Sequence, residues 1–203
     1  LKKLHRVIML SRVYQESSHV IDEYQDKDPY NRLLWRANVR RLDFEAIRDS
    51  LLSLSGRLDP KMGGQPVNIT DEPYSYRRSI YGYIDRANVP ELLTQFDFAN
   101  PTEPNTRRST TIVPQQALFL MNSPFTIGIV RRIMDRPEVK TAAARNPQQG
   151  IQAIYQVVFQ RTATPLELTK AGKFLQAEAA QQSIVEKEQK ALLAKAQKRA
   201  EEL

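Results

Sequence analysis

The chain has 203 residues, 41% of them hydrophobic and 26% charged, a balance that suits a folded protein with one sizeable core or a core plus an appendage. It contains no cysteine, which excludes disulfides, thiolate nucleophiles, cysteine-ligated zinc, iron–sulfur clusters and covalent haem attachment in this segment. No run approaches the roughly 18 apolar residues of a membrane helix, so the segment has no membrane span. The formal charge is +7, carried by 18 Arg and 5 Lys against 17 acids up to Pro165, with 7 bases against 6 acids beyond it.

The excess in the body is mostly arginine, whose planar fork pairs two-pronged with carboxylates, phosphates and sulfates. Nucleic-acid binding calls for a basic block interleaved with aromatics, and no such block occurs. The chain starts at Leu1 without a methionine and ends inside a charged, helix-like run, so it reads as a piece of a longer protein.

In chain order, Leu1, Leu4, Ile8, Met9 and Tyr14 recur at helical spacing, with Lys2, Lys3, Arg6 and Arg12 mostly off that stripe, predicting an amphipathic, packing helix over residues 1–18. Asp28-Pro29 predicts a short helix through Leu33, Leu34 and Trp35. Residues 43–54 form the next helix, with Phe44, Ile47, Leu51 and Leu54 inward and Gly56 as its left-handed stop. Trp35 and Phe44 are expected in the core.

Residues 57–73, with Asp59-Pro60, Gly63-Gly64 and Pro66, predict a long irregular loop. Ser79-Ile80-Tyr81-Gly82-Tyr83-Ile84 is the best strand candidate and Thr110-Thr111-Ile112-Val113 its candidate partner. Val89-Pro90 opens a short helix through Leu92, Leu93 and Phe96. Pro114 starts another, Ser123-Pro124 caps a third, and Asn146-Pro147 opens a helix bearing Ile151, Ile154, Tyr155, Val158 and Phe159. Thr164-Pro165-Leu166-Glu167 is a capping box that launches a long helix, expected to run towards Leu203. Past Gln176 that helix is polar, with Ile184, Val185, Leu192 and Leu193 as its only apolar contacts, so it projects, starts a coiled coil, or leads into a further domain.

Residues able to carry chemistry are few. His5 and His19 lack a second ligand at metal spacing, so no metal site is expected. Gly63-Gly64 lacks the lysine and Ser/Thr of a phosphate-binding loop, and Asn68-Ile69-Thr70 matches a glycosylation acceptor that arises often by chance. Two similar tetrads stand out: Tyr76-Arg77-Arg78-Ser79 and Thr106-Arg107-Arg108-Ser109. Their arginines could converge on an anion or a partner; the preferred alternative pairs them with Asp85, Asp97, Glu45 or Asp49, because a half-buried arginine needs a carboxylate to offset its desolvation. If the domain is an enzyme, Asp85, Glu91 and Asp97 are the carboxylates to nominate, since they flank a segment holding Arg86, Asn88, Tyr81 and Tyr83, a polar and aromatic mix suited to sugar. The same residues serve equally as caps and salt bridges.

Several segments, taken together, carry a resemblance: Leu4-His5-Arg6-Val7-Ile8-Met9-Leu10-Ser11, Asp28-Pro29-Tyr30-Asn31-Arg32-Leu33-Leu34-Trp35-Arg36, Glu45-Ala46-Ile47-Arg48-Asp49, Ser55-Gly56-Arg57-Leu58-Asp59, and Ile112-Val113-Pro114-Gln115-Gln116-Ala117-Leu118-Phe119 running on to Phe125. As an ordered set spanning residues 4–168, they resemble a planctomycete-specific domain of unknown function found near the C-terminus of large exported proteins, behind a cytochrome-c-like domain. The resemblance implies a periplasmic or cell-surface parent protein with haem in an upstream domain and no cofactor in this segment. It implies no catalytic residues.

The expected fold is mainly α within the α+β class: a multi-helix domain with a minor two-stranded sheet, long polar loops and a projecting C-terminal helix. Residues 1–168 form the globular domain and 169–203 an extended polar helix. The preferred function is a non-catalytic structural or interaction module of a multidomain envelope protein, in which the Arg-rich loops bind a neighbouring domain of the same polypeptide or an anionic polysaccharide. The alternative is a domain contributing to polysaccharide binding or degradation.

Overall fold

A computed structural model describes residues 1–201, with side chains described for 1–183 and 189. The chain divides into two compact units, Leu1–Asp43 and Phe44–Leu203. Among the described residues there are nine α-helices and no sheet, and 52% of the chain is helical.

In the first unit, helix α1 covers Lys2–Met9 rather than all of residues 1–18, and none of its residues is buried. Its last turn is closed by the Ser11 hydroxyl, which donates to the Ile8 carbonyl at 2.7 Å. Helix α2, Asp22–Lys27, has acids in its first turn and Lys27 in its last, in accord with the helix dipole. The expected helix after Asp28-Pro29 is absent: Asn31 and Leu34 take left-handed φ values of 51° and 55°. The Asp28 carboxylate accepts the backbone N–H groups of Arg32 and Leu33 at 3.0 and 2.8 Å, a side-chain alternative to the helical ladder. These two bonds hold the Asp28 carboxyl below its ordinary pKa. Asn31, almost wholly buried, donates to the Arg36 carbonyl at 2.7 Å and fixes the turn. Trp35 is only half-buried, edge-on to Tyr24 at 5.8 Å, with its indole N–H donating to the Asp28 carbonyl.

The second unit opens with α3, Phe44–Leu54. Its buried residues are Phe44, Arg48 and Leu52, four apart and so on one face. Gly56 ends it with φ +70°, as expected. Phe44 joins Leu93 and Phe96 in one apolar cluster; Leu52 joins Phe125, Ile129 and Ile133 in another, and half-buried Phe119 packs on both. The Phe44, Phe96 and Phe119 rings lie 5.1 to 6.1 Å apart, within the range of edge and offset aromatic contact.

The remaining helices follow their start signals: α4 Glu91–Gln95, α5 Pro114–Asn122, α6 Pro124–Met134 and α8 Pro147–Phe159. Ser123 and Asn146 cap α6 and α8 by accepting the N–H groups of Thr126 and Gln148. Between them lies a helix the sequence reading omits, α7, Pro137–Arg145, which buries only Val139. Gly150 lets α8 approach α7, since a Cβ there would stand 3.0 Å from Ala143. Helix α9, Pro165–Glu201, begins with the expected capping box: the Glu167 carboxylate accepts the Thr164 N–H at 2.8 Å and Thr164 Oγ1 accepts the Glu167 N–H at 3.3 Å. Its residues 173–183 are exposed. The expected contacts of Ile184, Val185, Leu192 and Leu193 lie outside the described side chains, and Leu203 lies outside the described residues.

The expected two-stranded sheet is not found among the described residues. Ser79–Tyr81 is a 3-10 turn and Thr110 to Val113 is irregular. What exists instead are two isolated bridges, Asp59 with Arg77 and Val67 with Gly82.

Arg161 Nη2 and Nη1 donate to the two Glu167 carboxylate oxygens at 2.7 and 2.8 Å, and this, with the Thr164 N–H, lowers the Glu167 pKa to about 2. A carboxyl depressed on folding stabilises fully above its unfolded pKa of about 4.3 and loses that contribution as pH falls towards 2. Titration of the Glu167 side-chain carbon by NMR is expected to show a midpoint near 2, and Arg161→Gln to raise it; an unchanged midpoint in the variant would refute the assignment. Truncation after Gln176 is expected to leave the melting temperature nearly unaltered, because residues 177–183, the described stretch just beyond it, are exposed.

Candidate functional site

Arg48, 1% exposed on the inner face of α3, carries a dense set of polar bonds. Its Nε donates to the Ile69 carbonyl at 3.1 Å, and Nη1 to the Arg77 carbonyl at 3.0 Å and the Ser79 hydroxyl at 3.2 Å. Nη2 donates to the Ser75 carbonyl. Asp49 stands 3.5 Å from Nη1 and the Phe125 ring 5.8 Å from the guanidinium carbon. Burial lowers the Arg48 pKa, and the Asp49 charge opposes that shift. Asp49 also accepts the Ser79 N–H at 2.8 Å and the Ser79 hydroxyl at 2.7 Å. One helix thus anchors a loop that has almost no secondary structure of its own.

Arg77 anchors the same loop from its other end. Its guanidinium donates to the carbonyls of Gln65 at 2.8 Å, Lys61 at 3.4 Å and Gly63, and stacks on the Tyr81 ring at 4.2 Å. The Tyr81 hydroxyl accepts the Gly63 N–H at 3.0 Å.

The second tetrad meets the same helix. Arg108 binds Glu45 with two parallel bonds of 2.9 and 2.8 Å and lies over the Phe98 ring at 4.9 Å. Burial pushes the Glu45 pKa up, but the Arg108 bonds, Glu45's own backbone N–H and the Arg108 charge together bring the net shift downward. Ser79 of the first tetrad and Arg108 of the second therefore line one shallow depression of about 440 Å³ beside Glu45 and Asp49. The tetrads converge on the acidic side of α3. Their other arginines, Arg78 and Arg107, are exposed.

The three nominated carboxylates are dispersed. Asp97, at φ 61°, accepts from the Thr111 N–H and hydroxyl at 2.8 Å each and pins the segment once expected as a strand. Glu91 accepts from the Gln95 amide on the exposed side of α4. Asp85 accepts the Ala87 N–H at 2.9 Å and lines a groove of about 430 Å³ together with Asn68, Asp71, Tyr83 and Asn88. The sequence marks Asn68 and Asp71 only through the acceptor-like Asn68-Ile69-Thr70, whose polar groups bond to one another and to Asp71.

A family model described as PSD1, protein of unknown function (DUF1553), matches residues 1–175. The chain belongs to the PSD1 family. No curated protein and no solved structure matches it. The family match takes in both compact units and ends early in α9. Arg48, Asp49, Arg77 and Arg108 of this PSD1 chain all fall inside it.

Arg48→Met is expected to strand three loop carbonyls and the Asp49 charge and to cost about 3–5 kcal/mol. Arg108→Gln breaks a pair that is roughly one-third exposed and is expected to cost about 1 kcal/mol. Urea unfolding of both variants checks the order; equal costs would show that burial does not set the hierarchy.

Proposed function

We propose that this chain is a non-catalytic, carbohydrate-binding module of a larger exported or cell-surface protein, in which residues 169–203 lead towards a neighbouring domain and any haem resides upstream. The observation that supports this reading is that the side chains best suited to chemistry are bonded within the fold: Arg108 to Glu45, Arg77 to the loop carbonyls, and Asp97 to Thr111. Two carboxylates held on opposite sides of one substrate would favour a glycosidase, and the nominated Asp85, Glu91 and Asp97 serve three separate local structures. What remains is a rigid loop scaffold with an open polar groove, and a preformed surface of that kind favours binding because little ordering entropy is lost.

The chain is expected to sediment with insoluble polysaccharide while releasing no new reducing ends on prolonged incubation. Reducing ends that accumulate with the native chain and vanish with Asp85→Asn would replace this reading with an enzymatic one.

A further inference from the structure

The groove beside Tyr83 is built from two loop segments that the chain holds together by main-chain bonds. The Val67 N–H donates to the Tyr81 carbonyl at 3.0 Å and the Tyr83 N–H to the Val67 carbonyl at 2.9 Å. Gly82 has no room for a side chain: a Cβ would stand 2.6 Å from Ile69 Cδ1. Ile69 is itself buried, and its carbonyl is held by Arg48. One wall of the groove is therefore tied to the core of the unit.

The polar groups of the two walls are pre-oriented. Asn68 Oδ1 accepts the N–H groups of Thr70 and Asp71 at 2.9 and 3.1 Å, and Asn68 Nδ2 donates to Asp71 Oδ2 at 3.0 Å. Across the groove, Asp85 is fixed by the Ala87 N–H, and the Asn88 N–H donates to the Asp85 carbonyl at 3.3 Å. Asp71 Oδ1, Asp85 Oδ2 and the side-chain amide of Asn88 take no part in these bonds. Tyr83 keeps 61% of its surface exposed at the same site, and Pro66 and Pro90 add apolar rims.

We propose that this groove is the saccharide site of the module and that its ligand is a neutral polysaccharide; the inference rests on the binding-module reading and gives it a location. Planar carboxylate and amide groups offer acceptors and donors spaced for adjacent hydroxyls, and an exposed tyrosine ring supplies an apolar face for the C–H side of a sugar while its hydroxyl stays wet. The charge selects against acidic polymers here, because Asp71 and Asp85 repel uronate and sulfate groups. An anionic polymer would instead seek the exposed Arg78 and Arg107.

Affinity electrophoresis tests this with the full chain in gels containing hydroxyethylcellulose, xylan, galactomannan, alginate or dextran sulfate. At least one neutral polymer is expected to retard the chain, with little effect of added salt. Tyr83→Ala and Asp85→Asn are each expected to weaken retardation by about tenfold or more with an unchanged melting temperature, since both side chains are exposed. Tyr83→Phe, which keeps the ring, and the Arg78→Gln/Arg107→Gln double variant are expected to behave as the native chain. Loss of binding in the arginine double variant with retention in Tyr83→Ala and Asp85→Asn would overturn the groove while leaving the module reading intact. Failure of all three neutral polymers to retard the chain would also overturn it. Cleavage of a polymer by the native chain would instead overturn the module reading.

Discussion

The guanidinium of Arg48 is the constraint on which the second unit depends. It lies on α3 between Phe44 and Leu52, the two residues that seed the unit's separate apolar clusters, and it gathers the carbonyls of Ile69, Ser75 and Arg77. A loop of this length has no ladder to satisfy its inner carbonyls, and each one buried without a donor costs free energy comparable to a lost hydrogen bond. Arginine answers this where lysine would not, because its five N–H groups fan out in a fixed plane and reach several acceptors at once. The desolvation of its charge is offset by those acceptors, by Asp49 and by the face of Phe125.

From that centre the order propagates outward. Asp49 fixes Ser79, Arg77 draws in the carbonyls of residues 61–65, and the Val67–Gly82 bridge sets one loop segment beside the other. The walls of the Tyr83 groove thereby inherit rigidity from the core, as a binding site needs when its residues sit on loops rather than on regular elements. Arg108 and Glu45 extend the same logic one turn earlier on α3 and fasten the segment that precedes α5. Several loop positions that look free in the sequence, Ile69, Ser75, Ser79 and Arg108 among them, are thus bonded to one helix.

Much of the helical frame is legible in the sequence, because its signals are local. Pro114, Ser123-Pro124, Asn146-Pro147 and Thr164-Pro165 each announce a helix start that the fold uses. Helix α7 escapes the same reading because an Ala-rich segment with a single buried residue, Val139, has no apolar stripe to follow. The helix expected after Asp28-Pro29 fails because Asp28 spends its cap on a turn and Asn31 accepts a left-handed backbone. The strand expected at Ser79 to Ile84 has the right residue types, but Asp49 and Arg48 claim Ser79, and the Gly82 pairing extends no further than one bridge. Of the site, the sequence offers Asp85 and Tyr83. Asp71 bonds only to its near neighbours Asn68 and Thr70 in the bonds described and comes beside them through the main-chain pairing of Val67 with Tyr81 and Tyr83, and Arg48 leaves one trace, a charge placed four residues from Phe44 and four from Leu52 on an inward face.

Native-state amide hydrogen exchange addresses the role of Arg48 most directly. The amides of Val67, Ser79 and Tyr83 belong to the loop, and those of Leu52 and Ile129 to the core helices. If the Arg48 network welds loop to core, the loop amides exchange with the same free energy of opening as the helical ones, in one cooperative event. Loop amides that exchange through a separate opening of much lower free energy, while the helices stay protected, would contradict the account.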